Sequence, residues 1–177
     1  MLMDNMEKGQ PFLDAVSATE PDWSRERKAF WEWSPSKSLL ASIRRYHCAQ
    51  KKPLLLRQLI KKIAIFQHRF WSVVTGADIP INSSIGGGLL IPHPNGIVIH
   101  PSVIVGPNCL IFQQVTIGAS FDATVPVIGG HVDIGAGAKV LGNITLGNHV
   151  RVGANAVVLH SVPDNKTVVG IPAKVIQ

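Results

Sequence analysis

Cysteine, aromatic residues and charge are all scarce in this chain of 177 residues. Two cysteines, Cys48 and Cys109, are too few for a disulfide framework, so packing must hold the fold and a reducing, cytoplasmic setting is the default. No apolar run approaches the roughly 20 residues of a membrane span, and the N-terminus has no apolar stretch of signal-peptide length. Aromatic residues make up 6% of the chain, so aliphatic side chains must fill the core. Charged residues are 16% against 46% hydrophobic, enough for one domain with a real interior. What the chain has in quantity is glycine (16) and proline (12), too much for a helical bundle and too little for a low-complexity chain.

The net charge of +6 is unevenly spread. The stretch from Arg25 to Arg69 carries 12 Lys/Arg against 2 Asp/Glu, whereas residues 79–177 carry 4 against 3. Such a cluster is either a solvated helical face or a surface for an anionic partner, including a phosphorylated or lipid-linked substrate held peripherally. Nucleic acid is excluded as a partner. The basic stretch fits no recognition module, and the second half has almost no charge to meet phosphates.

Organisation changes near residue 76. Residues 1–21 are polar and mixed and read as a flexible tail. Residues 22–75 read as a basic α-helical segment of two or three helices. Asp22 and Ser24 are candidate caps, and Ser34-Pro35-Ser36 breaks the chain before Leu39, Leu40, Ile43 and Tyr46. Pro53 permits a further start, followed by Leu56, Leu59, Ile60, Ile63, Phe66 and Phe70 at spacings of three and four.

Residues 76–177 follow a period of six. Ile79, Ile85, Ile91 and Ile97 begin it; Val105, Ile111 and Ile117 resume it; Ile128, Ile134, Val140, Leu146, Val152 and Val158 complete it. The phase slips by two residues after Ile97 and by five after Ile117. The fifth place of each hexad is small or β-branched, as at Ser83, Cys109, Val115, Ala138 and Ala156. A repeat of this length describes a parallel β-helix in which each aliphatic residue stacks on its counterpart one coil away, at about 4.8 Å. No helical pattern of 10 residues or more separates the strands, which excludes a doubly wound sheet. The repeat leaves the handedness open; ordinary crossovers are right-handed.

The runs IPHPNGIVIHPSVIVGPNCLIFQQVTIG, IGAGAKVLGNITLGNHVRVGANAVVLHSVP and VVGIPAKV resemble the hexapeptide-repeat acyltransferases, most closely their serine O-acetyltransferase branch. The resemblance covers roughly residues 76–176. It implies a mainly β fold, a left-handed parallel β-helix with an N-terminal α-helical segment, assembled as a homotrimer with active sites in clefts between subunits. It also implies acetyl-CoA as the donor.

Acetyl transfer from a thioester to a hydroxyl needs a base for the hydroxyl proton, and a neutral imidazole suits that task near neutral pH. His93 lies in Ile91-Pro92-His93-Pro94-Asn95-Gly96, a stiff turn. Alone, a histidine in a turn is an ordinary polar surface group; by resemblance this one is the catalytic base. Asp78 matches the acidic residue that orients that histidine, though it also suits a cap at the junction of helices and repeat. The resemblance places CoA against Gly118, Ala136, Ala154 and Lys174, with His160 a weaker contact; the alanines are also what a tight coil tolerates. His131 and His149, at outward places, read as surface. Cys109 reads as a core thiol, since an activated thioester needs no covalent enzyme intermediate. No His and carboxylate set has metal spacing, so no metal is expected.

Departures from the resembling branch bear on the acceptor. The acidic residue expected before the base is Pro92, and the expected Arg-His pair aligns with Thr124 and Val125. A free amino acid needs partners for its carboxylate and ammonium. The repeat is followed closely by Gln177, without the tail by which the branch docks cysteine synthase, so no such complex is expected. These features favour a sugar hydroxyl of a surface polysaccharide precursor as acceptor. Two alternatives stand. One is a serine O-acetyltransferase whose missing contacts come from Arg44, Arg45 or His47; the other is a non-catalytic β-helix scaffold.

Overall fold

The computed structural model describes residues 16–121 and 123–176; most of the polar N-terminal stretch therefore lies outside the described residues. A short 3-10 turn at Trp23–Glu26 is capped by Asp22, whose carboxylate accepts from the Ser24 N–H. Helix α1 runs Pro35–Ala49, with Pro35 at its first position, where a missing N–H costs nothing. It sends Leu39, Leu40 and Ile43 into the common core. Helix α2, Leu54–Thr75, packs on α1 and stops at Gly76, whose left-handed φ of +66° lets its N–H return to the Ser72 carbonyl.

Short strands then follow one another: β1 Ser84–Ile85, β2 Val98–Ile99, β3 Ile104–Val105, β4 Leu110–Ile111, β5 Thr116–Gly118, β6 Val127–Ile128, β7 Asp133–Ile134, β8 Lys139–Leu141, β9 Thr145–Leu146, β10 Arg151–Val152, β11 Val157–Val158, β12 Thr167–Gly170 and β13 Ala173–Val175. Consecutive strands enter three different sheets in rotation. These sheets are ordered β1-β3-β6-β9, β4-β7-β10-β12 with β13 at the end, and β2-β5-β8-β11. Every ladder is parallel except β12 with β13. The chain is thus a three-sided coil preceded by two helices.

The inward columns follow the period of six. Ile91, Ile111, Ile134, Val152 and Val168 stack through the second face, all at most 4% exposed. The first phase slip falls elsewhere than the sequence suggested. Ile99, not Ile97, pairs in register with Ile117. Leu90 pairs with Leu110, and Val98 with Thr116, so two extra residues lie between Leu90 and Val98. Ile97 takes the buried fifth place, and the insertion falls in the turn that carries His93. The second slip is the loop between β5 and β6, where Phe121 stands fully exposed.

The first coil has no coil beneath it, so its backbone groups need other partners. Arg44 of α1 donates to the Ile85 carbonyl and, at 2.7 Å, to that of Gly86. It also forks onto Glu26 at 2.8 and 3.0 Å. Glu26 accepts from the Gly88 and Leu89 N–H groups at 2.8 and 3.1 Å. His68 of α2 bonds the Ile79 carbonyl at 2.8 Å. One corner higher, the buried Asn108 donates to the carbonyls of Ser17 and Glu20 and accepts from the Asp22 N–H. Residues 17–26 therefore lie as a strap along the coil.

Asn108 belongs to a column of left-handed residues, Asn108, His131, His149 and Asn165, that turns each coil from the first face to the second. Histidine at two of these places is not plain surface. His131 is 9% exposed, and its Nδ1 lies 2.7 Å from Nδ1 of His149 on the next coil. Burial holds His131 below the usual histidine range; Asp133 opposes this, while His149, Arg25 and Arg151 add to it. Asp133 is itself pushed up by burial.

Arg44→Met leaves the largely buried Glu26 carboxylate without its counter-charge and two carbonyls unpaired, and is expected to cost about 3 kcal/mol. A urea midpoint equal to wild type would show that water serves the lower edge as well. For His131, the depressed folded value means that the unfolded chain binds a proton more readily. Its contribution is full above about pH 6.5 and is lost as pH falls below it. Asp133 has the opposite sign, its contribution being lost as pH rises through its own, more acidic range. Stability measured between about pH 7 and 5 is expected to decline in wild type and to decline less in His131→Asn, which tolerates the same φ. Parallel declines would remove His131 as the titrating group.

Candidate active site

The turn at Pro92–Gly96 lies where the coil passes from its second face to its third. Ile97 donates to the Pro94 carbonyl at 3.2 Å, closing the turn, and Gly96 supplies a φ of +69°. A side chain at Gly96 would run into Gln114 on the next coil. The turn is held from below and above: Gly96 N–H donates to Gly76, Gln114 N–H to Asn95, and the Gln114 side chain to the Asn95 side chain. The two inserted residues make this turn longer than the corner above it. His93 is exposed there, and its ring has no hydrogen bond among the described residues. Rigid neighbours thus carry an uncommitted imidazole.

Asp78 pairs through its backbone with Val98, the strand residue that follows the His93 turn. Its side chain is exposed and forms no ion pair with His93 within the chain. Ala136 and Ala154 lie higher in the same corner column. Gly137 N–H donates to Gln113, and Asn155 N–H to Ala136, so the column runs from the His93 turn through Gln113-Gln114 to both alanines. Gly135, Ala136 and Gly137 on one coil and Gly153 and Ala154 on the next carry nothing larger than a methyl group, while the Asn155 side chain lies against Gly137; main chain beside the two alanines is thereby left accessible to an extended ligand such as CoA. Lys139, just above, donates to Gln114 O and Thr116 Oγ1.

The other expected CoA residues are not gathered at this corner. Gly118 ends the third face opposite Leu141, in a roomy position where a Cβ would touch only Thr116 and Leu141, at 3.9 and 4.0 Å. His160, exposed, follows β11 near the next corner. Lys174 is exposed on β13, paired with Val169. Cys109 is wholly buried, with its thiol pushed up to about 11 by burial, and is no nucleophile.

A cleft of about 300 Å³ opens beside Pro92. Arg25, Ser34, Ser36 and Lys37 line it on one side, and Leu89 to Pro92 on the other. Sequence reading missed this cleft, because the strap that forms it is placed by Asn108 and not by any local pattern. Of the helical side chains considered as acceptor contacts, Arg44 is committed to Glu26 and the first coil, and Arg45 bonds Gln67. His47 lies against the ring of Tyr46. Among the described residues no group of three or more His, Cys, Asp or Glu is arranged to hold a metal.

No protein-family model matches the chain. Its relatives are nonetheless clear. It is 47% identical over 132 residues to the serine acetyltransferase of Synechococcus elongatus, covering 73% of this chain and 54% of that one. It is 42% identical over 131 residues to the serine acetyltransferase of Staphylococcus xylosus, covering 72% and 57%. Among solved structures, serine acetyltransferase from Brucella abortus in complex with coenzyme A superposes with a TM-score of 0.69 at 33% identity, over 81% of this chain and 56% of that one. Soybean serine acetyltransferase complexed with serine gives 0.68 at 34% identity, over 81% and 58%. The chain spans about half the length of the curated relatives it matches. With the period of six, the three-sided parallel coil and these likenesses together, the chain belongs to the hexapeptide-repeat acyltransferases of the serine acetyltransferase type.

Proposed function

We propose that the chain is an acetyl-CoA-dependent O-acetyltransferase with the hydroxyl of L-serine as acceptor and His93 as general base. The observation that carries this reading is the inserted turn. It presents one unbonded imidazole on a rigid corner, at the foot of a column of small residues against which an extended thioester can lie. His93 takes the hydroxyl proton as the oxygen attacks the thioester carbonyl carbon. The imidazolium then returns the proton to the departing CoA sulfur, leaving the acetyl ester and free CoA. Main-chain N–H groups of the corner serve the oxyanion. Asp78 orients the imidazole. Ala136 and Ala154 carry the CoA chain, with Gly118, His160 and Lys174 completing its contacts from a neighbouring subunit of a left-handed, trimeric β-helix.

The acceptor reading departs from the sequence-based preference for a polysaccharide sugar. That preference rested on Pro92, Thr124 and Val125 standing where carboxylate and ammonium partners were expected. The relatives, matched over 72–81% of this chain, are named serine acetyltransferases, and one neighbouring structure is complexed with serine, which favours serine. The cleft beside Pro92 supports the same choice. Arg25, which donates one N–H to the Asn108 carbonyl at 2.6 Å, and Lys37, which donates to the Arg27 carbonyl at 2.7 Å and lies 3.7 Å from the Glu32 carboxylate, come from outside the repeat and keep further N–H groups for an acceptor carboxylate in place of the expected pair.

His93→Ala is expected to lower thiol release from acetyl-CoA by about 10²–10⁴-fold while circular dichroism stays unchanged. Near-normal turnover in that variant would remove His93 as the base. Across serine and a panel of sugars, release is expected with serine alone; a sugar-only response would restore the polysaccharide acceptor. Lys37→Ala is expected to raise the KM for serine about tenfold with kcat little changed. An unaltered KM would take the Pro92 cleft out of acceptor binding.

A further inference from the structure

Helix α2 is built with its apolar side outward. Towards α1 and the coil it turns Lys61 over the Tyr46 ring at 4.9 Å, Gln67 onto Arg45, and His68 onto the Ile79 carbonyl, with the small Ala64 and Thr75 buried between them. Away from them it shows Leu56, Leu59, Ile63, Phe66, Phe70 and Val73, spaced alternately three and four residues apart and 44–84% exposed. That spacing lines one side of a helix. The stripe continues at its far end through Phe70 and Trp71 to Trp33, with ring centroids 5.0 and 5.5 Å apart. Phe30 and Trp31, 97% and 88% exposed, project from the same loop. An apolar face of this extent is not left to water in a stable protein.

Charge decides what covers it. From Trp33 to Ala77 there are nine Lys/Arg and no Asp/Glu. Lys62 and Arg69, both exposed, border the stripe along one edge. A second copy of the same helix would bring only more positive charge and no carboxylate to pair with it. An apolar face edged by cations and ending in tryptophans fits a surface that is greasy within and anionic at its rim. We propose that this face seats the protein on a bilayer rich in anionic headgroups. The stripe enters the acyl boundary, Lys62 and Arg69 lie among the phosphates, and Trp31 and Trp33 sit at headgroup depth. The contact is peripheral, since no helix among the described residues is long and apolar enough to cross a membrane.

The test is co-sedimentation of the full chain with vesicles of phosphatidylcholine alone or mixed with phosphatidylglycerol, at low and high salt, alongside its mass by light scattering without lipid. Binding is expected only to the mixed vesicles and is expected to weaken with salt. Lys62→Gln with Arg69→Gln is expected to reduce it about twenty-five-fold, at roughly fivefold for each charge removed. Phe66→Ser with Phe70→Ser is expected to abolish it with the melting curve and the mass unchanged. Failure to bind mixed vesicles, or equal binding to neutral ones, would overturn the proposal. A fall in mass for the serine variant without lipid would also overturn it, by showing that another copy covers the face.

Discussion

One aliphatic side chain in every six, buried on top of its equivalent in the coil below, is the constraint from which the rest of the structure follows. Each coil supplies three such residues and cannot bury them alone. The hydrophobic gain arrives only when coils stack, and stacking also satisfies the backbone through parallel ladders. Registry between coils is therefore strict. A residue added anywhere on a face would turn the column inside out, so additions are confined to corners. Both insertions obey this. Two residues extend the His93 turn and five extend the loop after β5, while the strands on either side keep their pairing.

That confinement links fold to chemistry. A corner can lengthen without disturbing the core, so it is where a side chain can be pushed outward at little structural cost. His93 occupies such a place, with its turn fixed on both sides by Gly76 and Gln114. The small residues above it in the same column are required by the tight coil, and in the proposed function the main chain they leave accessible takes the extended thioester. Under that reading one set of residues meets two demands, and composition alone cannot separate them.

The period of six made the coil legible from sequence, because it is a local, repeated demand on residue type. The position of the first insertion was less legible. Ile97 and Ile99 are both isoleucine and both buried, so only pairing with Ile117 tells which one stands in the column. The outward places of His131 and His149 read as surface in the sequence; their contact depends on two left-handed backbones stacked one coil apart. The strap was illegible. It rests on Asn108 meeting Ser17, Glu20 and Asp22 across more than eighty residues, a partnership no spacing announces. The preference for a sugar acceptor has a related origin. Absent side chains were counted within the repeat, whereas Arg25 and Lys37 reach the Pro92 cleft from outside it.

A stack of identical parallel rungs has no natural end, and its last rung offers a ready template to any passing strand. Here β13 runs against β12 and occupies that final position. An incoming parallel rung would find its donors and acceptors out of phase. On this one face the reversal works as a terminator, setting an antiparallel strand where a further parallel rung would pair, while the other two faces end at Val162 and β11.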